Sequence, residues 1–295
     1  MTLTLPAART ARPVRGIALM LLAVVGWVSM DTVGKLLVAD GVSPWQVTWA
    51  RYAFHLAVML PFVLVGRVRV RTARPGLQFV RSLLLLAVTF LIYTALGLLP
   101  LATVNAIGFL TPLLITALSV PLLGEKVGIR RWLAVAAGFA GVLILVRPSP
   151  EMELALLLPM AASLMNALYQ LSTRFLSHTE PAATTLLWTA LVGMAVSSVV
   201  VPFVWVSPGA WAWTLMVFLG AMGCLSHYLM ITAYAAAPAP TLAPFVYTQL
   251  LWVLPVGWIV FGDFPDLWTL VGAAVIAASG LYTFHRELVR RRQPR

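Results

Sequence analysis

Asp31 and Lys35 stand four positions apart inside the apolar run GWVSMDTVGKLLV, residues 26 to 38. Such a spacing puts a carboxylate and an ammonium on one helix face. At about 1.5 Å of rise per residue, Lys35 lies only about 5 Å below the end of its run, so its stem can carry the charge to the interface. Asp31 lies roughly 10 Å deep, and its side chain is too short for that. A charge near the middle of a bilayer costs about 2.5 to 3.5 kcal/mol, and an intrahelical pair returns only some tenths. Three roles stay open for Asp31: a structural cluster with Lys35 and Arg51, recognition of a charged ligand in a wet cavity, or proton coupling. Arg51 lies at similar depth with His55 one turn later, and Asp31, His55 and His227 are the interior groups able to handle a proton.

Other polar and aromatic residues fall on helical stripes. Trp27, Asp31 and Gly34 follow an i, i+4, i+7 pattern, Ser163, Asn166, Gln170 and Thr173 form a second stripe beside Tyr169, and Asn105, Phe109 and Pro112 share a third face. Lipid offers polar groups no partner, so the stripes should point inward. Aromatic walls with a few amides and hydroxyls suit a small organic ligand. The candidate binding set is Trp27, Asp31, Tyr93, Asn105, Phe109, Asn166, Tyr169, Gln170, His227, Tyr247, Gln249 and Trp252. Trp27 and Trp252 join it because they lie away from the span ends, where Trp45, Trp132, Trp205, Trp211 and Trp268 read as interfacial anchors. Plain alternatives stand beside these roles: His227 as an interhelical hydrogen-bonding group, and Phe109 with Tyr247 as packing.

The elements that must position these residues are membrane helices. Of 295 residues 61% are hydrophobic and 10% charged, and the mean hydropathy is +0.94. A soluble fold cannot hide that much apolar surface. Ten apolar stretches long enough to cross as helices follow one another, at about 15–37, 44–66, 77–99, 101–123, 130–147, 153–175, 183–205, 211–234, 240–261 and 267–285. Basic residues gather in alternate connectors, as in Arg67, Arg69, Arg71 and Arg74, and in the tail from Arg286, which puts both termini in the cytoplasm. The net charge of +11 thus marks topology, and nucleic acid is not expected as a partner.

FLIYTALGLLPLATVNA (90–106) aligns without gaps on YLMITAYAAAPAPTLAP (228–244), and the same offset of 138 carries Gly124-Glu125 onto Gly262-Asp263 and Phe109 onto Tyr247. The expected organisation is a segment 1–14, a first five-span repeat 15–147, a connector 148–152, a second repeat 153–285 and a basic tail 286–295. Five is odd, so the copies should lie antiparallel across the membrane, as in many secondary transporters. Pro112 and Pro244 should bend spans four and nine. Small residues on spans five and ten, among them Gly138, Gly141, Gly272 and Gly280, suit close packing within the protein or a dimer contact. Glu125 and Asp263 read as acids at helix starts.

These features, with each half ending in a Pro-containing span, a Gly-acidic turn and a small-residue-rich helix (LLGEKVGIRRWLAVAAGFAGVLIL and IVFGDFPDLWTLVGAAVIAASGLYTF), resemble the EamA-domain branch of the drug/metabolite transporter superfamily. The resemblance covers nearly the whole chain and implies export of small metabolites, amino acids with aromatic or apolar side chains among them, by a carrier in a bacterial inner membrane. A channel-like pore and an uptake carrier for another metabolite are the alternatives. A membrane-embedded enzyme is not expected, because the four histidines are scattered and no paired-carboxylate or HExxH motif occurs. Expected partners are a small-molecule substrate and the lipid bilayer, with a monomer or homodimer as the assembly; no cofactor is expected, and with no P-loop the energy comes from a solute or ion gradient.

Overall fold

The computed structural model describes residues 13–123, 129–147, 154–176, 179–236, 242 and 245–292. Glu125, His178, Ala243 and Pro244 lie outside them. The described chain is helical: α1 (Pro13–Ala39), α2 (Pro44–Leu64), α3 (Pro75–Leu98), α4 (Leu101–Gly108), α5 (Leu110–Leu123), α6 (Ile129–Val146), α7 (Leu157–Leu176), α8 (Ala182–Val200), α9 (Ala210–Ala236), α10 (Gln249–Phe261) and α11 (Leu267–Arg292). Single 3₁₀ turns precede α7 and follow α8. Among the described residues six helices are long and apolar enough to cross a membrane, and shorter apolar stretches occupy Leu101–Ile115, Trp132–Ile144, Gln249–Phe261 and Leu267–Tyr282. The last helix runs on to Arg292, into the segment expected to be a tail.

Proline and glycine set the boundaries. Pro44 and Pro75 open α2 and α3, where the missing N–H would have no helical partner. Gly262, at φ 71°, closes α10 in the left-handed region, with Asp263 N–H donating to Gly257 O at 3.1 Å.

Spans four and nine are broken rather than merely bent. Span four divides at Phe109 into α4 and α5. Pro112, one turn into α5, has no N–H to offer the carbonyl of Gly108, which ends the regular ladder there. The second half does the same at the equivalent place: Tyr247 and Thr248 form a turn before α10, with Leu250 N–H donating to Tyr247 O at 3.3 Å.

Packing pairs helices across the two halves of the chain. α1 runs against α9 and α3 against α7, α2 rests on α8 and α9, and α6 lies along α11. Where α6 meets α11 the contacts are reciprocal under the 138-residue offset. A Cβ on Gly138 would sit 3.1 Å from Ser279 Oγ, and one on Gly141 would sit 2.9 Å from Ile276; Ser279 is the mate of Gly141 and Ile276 that of Gly138. The small residues here therefore serve packing within the protein. A core of Val28, Val33, Leu96, Ile107, Leu113, Met216 and Val253, drawn from six helices, fills the centre.

Candidate binding site

At one end of the helices Lys35 meets a carboxylate other than Asp31. Its ammonium donates to Asp263 Oδ2 at 2.7 Å and to Leu99 O at 3.1 Å, and lies 4.7 Å from the Phe261 ring. Lys35 therefore has turned away from Asp31. The cluster of Asp31 with Lys35 is not formed, since the long stem finds a carboxylate in the turn after α10 that the intrahelical neighbour cannot match in exposure to water. Asp263 is not a helix-start acid either. That position belongs to Asp266, whose Oδ1 accepts from Thr269 N–H at 2.8 Å and whose other oxygen accepts from Arg147. The Thr269 hydrogen bonds, with Arg147 beside them, hold the Asp266 carboxyl below the usual aspartate range.

Deeper in, the polar residues on the stripes converge. Asp31 faces Arg51 and Asn105, yet among the described residues no cation lies within 4.0 Å of its carboxylate. Arg51 donates from Nη1 to Thr89 Oγ1 at 2.5 Å, and Thr89 also shares a 2.9 Å hydrogen bond with the Tyr52 hydroxyl. Asn105 is buried, donates to Leu101 O at 3.0 Å and accepts from Gln249 Nε2 at 2.5 Å, which ties α4 to α10. One turn along, Phe109 and Tyr247 meet with ring centroids 5.1 Å apart at 38°. The breaks in spans four and nine thus place their repeat-mate aromatics in contact, one from each half.

Tyr93, 2% exposed, packs its ring against the bare backbone of Gly34, leaving no room for a Cβ there. Trp27 packs partly buried between two apolar clusters. His227 has a buried Nδ1 with no hydrogen-bond partner among the described residues, as has His55 at Nε2. The α7 stripe lies to one side: Ser163 donates to Ile107 O at 3.1 Å, and Asn166 reaches Thr111 at 3.5 Å. Two candidates are not drawn in. Gln170 is exposed and reaches only Asn166, at 3.5 Å, and Trp252 is 45% exposed on the outside of α10.

One residue was absent from the sequence reading. Arg81, on α3, is 4% exposed and donates from Nε to Thr173 at 2.7 Å, from Nη1 to Thr189 at 2.7 Å and from Nη2 to the Tyr169 hydroxyl at 2.7 Å, with the Tyr169 ring 4.4 Å from the guanidinium centre. The signal was present, since Arg81 interrupts an apolar span as Asp31 and Arg51 do. Its nearness to the basic connector at 67–74 hid it among topology-setting charges.

Comparison with known proteins decides what kind of molecule carries this interior. The model of the EamA-like transporter family matches residues 14–147. A riboflavin transporter of Rhizobium johnstonii is 30% identical over 83% of this chain and 82% of its own. The chain belongs to the EamA-like transporter family. An S-adenosylmethionine uptake transporter of Rickettsia bellii is 29% identical over 92% of this chain and 94% of its own, and a riboflavin transporter of Vibrio cholerae is 28% identical over 96% and 97%. A solved crystal structure with 19% identity superposes at a TM-score of 0.62 over 92% of this chain and 99% of that one, a likeness of fold. This EamA-family protein is a multi-pass membrane transporter of small metabolites. The relatives' names point to S-adenosylmethionine and riboflavin rather than to amino-acid export.

Proposed function

We propose that the chain is an alternating-access carrier of ten membrane spans, built from two antiparallel five-span repeats with both termini in the cytoplasm of a bacterium, and that it moves a small ring-bearing metabolite through the gap between the repeats. The observation that carries this reading is the contact of Phe109 with Tyr247 at breaks that fall at equivalent places in the two halves. Discontinuous helices meeting near the midplane are where carriers of this architecture hold their solutes. The pairing of α1 with α9 and of α3 with α7, and the reciprocal seam of α6 and α11, support a twofold relation in the membrane plane.

The ring-bearing class includes the aromatic amino acids of the sequence reading and also S-adenosylmethionine and riboflavin, for which the relatives are named. Relatives named for uptake support inward movement over the export that the resemblance implied. The test is counterflow into proteoliposomes preloaded with aromatic amino acids, S-adenosylmethionine or riboflavin, with and without a pH gradient. Accumulation of labelled solute against unlabelled solute of the same kind is expected for one of them. Ion conductance with no counterflow for any would remove the carrier reading.

A further inference from the structure

Two arginines and one carboxylate share the interior. Arg81 spends its hydrogen bonds on Thr173, Thr189, Tyr169 and the Thr185 carbonyl, all neutral groups. Among the described residues no carboxylate lies within 4.0 Å of it or of Arg51. Of the nine acidic residues only Asp31 falls within a span at this depth. The interior therefore carries one positive charge more than it can balance, in a medium where an unbalanced cation is costly and its field is little screened. Hydroxyls satisfy the guanidinium donors of Arg81 without cancelling the charge.

Arg51 is the cation with capacity to spare. It is only partly buried and engages Thr89 and the Tyr93 hydroxyl, which leaves donors over from the five that a guanidinium has. Gly223 of α9 lets the backbone approach this group closely, since a Cβ there would sit 3.3 Å from Met30 Cε and 3.8 Å from Arg51 Nε. Beside it stand Nε2 of His55, 2% exposed, and Nδ1 of His227, neither with a hydrogen-bond partner among the described residues. On α1 the group facing Arg51 is Asp31, and on α3 they are Thr89 and Tyr93.

We infer that Arg51 binds a carboxylate on the transported solute, with Arg81 supplying fixed positive potential behind it, so that the carrier takes ring-bearing carboxylates in preference to neutral analogues. A guanidinium receives a carboxylate through two parallel hydrogen bonds, which an amide of the same shape cannot match. The Phe109–Tyr247 pair supplies the surface for the ring. The inference rests on the carrier reading for its biological meaning, but its chemistry can be tested apart from transport.

The experiment uses the purified full chain in detergent, with its thermal unfolding followed against 3-phenylpropionate and the neutral isostere 3-phenylpropionamide. A saturable rise in Tm with the acid and none with the amide is expected. Arg51→Gln should abolish the rise, and Arg51→Lys should retain a part of it. Gly223→Leu, which keeps every charge and sets a bulky side chain against Met30 and Arg51, should weaken acid binding at least tenfold and serves if Arg51→Gln does not fold. Equal stabilisation by acid and amide, no saturable response to the acid, or a response unchanged in both Arg51→Gln and Gly223→Leu would overturn the inference. Counterflow of a neutral ring compound in a protein indifferent to 3-phenylpropionate would keep the carrier and remove the carboxylate site; acid-selective binding without any counterflow would do the reverse.

Discussion

One end of the helices and their interior treat charge in opposite ways. At that end, among the described residues, Lys35 holds Asp263 and Arg147 holds Asp266. In the interior Arg51, Arg81 and Asp31 form no ion pair among the described residues, although the cost of an unpaired charge is highest there. Charges paired in a wet setting are cheap connectors between elements. Those left unpaired in a dry one are costly, and here the hydroxyls of Thr89, Thr173, Thr189 and Tyr169 take up donors of the two arginines.

The sharpest way to break this contrast is to remove an interior charge. Arg51→Gln should lower counterflow by about 10- to 100-fold, the equivalent of one charge-assisted hydrogen bond, while gel-filtration behaviour stays that of the parent. Arg51→Gln with unchanged transport would make the interior charges mere packing. Next come the rings: Phe109→Ala and Tyr247→Ala should each reduce the apparent affinity for a ring-bearing solute about three- to tenfold. The double variant should fall short of the product of the two, because the rings touch.

The two end pairs should yield smaller effects. Lys35→Ala loosens the link between α1 and the turn after α10, and a shift of a few-fold in cysteine labelling at position 99 from the outside is expected, with the exchanged pair Lys35→Asp, Asp263→Lys restoring the parent rate. Smallest is Asp266→Asn, whose partner is solvent-exposed, so counterflow at neutral pH should not change measurably. Asp266 has a depressed pKa in the folded chain, so the stability it adds is present at neutral pH and is lost only as the pH falls through that lowered value, below the ordinary aspartate value of 3.8. Tm profiles of parent and variant should accordingly converge in that acid range.

How much of this was legible beforehand differs by level. Apolar length placed most helix boundaries within a few residues, because crossing hydrocarbon leaves little latitude, and the 138-residue offset identified Phe109 and Tyr247 as partners. The breaks were foreseen only as bends, since Pro112 shows where a ladder fails but not whether neighbours keep the axis straight. Lys35 reaches the end of its span as its stem allows, but its partner was not foreseen, because Asp263 is 228 positions away and sequence proximity favoured Asp31. Arg81 was passed over because a guanidinium near a basic connector looks the same in sequence whether it faces water or is sealed among Thr173, Thr189 and Tyr169.

The division of span four has a mechanical result. α4 is a piece of only eight residues that carries Asn105 and ends at Phe109, tied to the second half by the hydrogen bond from Gln249 and by the ring contact with Tyr247. A small rotation of so short a lever would disengage amide and ring in one stroke, so the two links between the halves would part together.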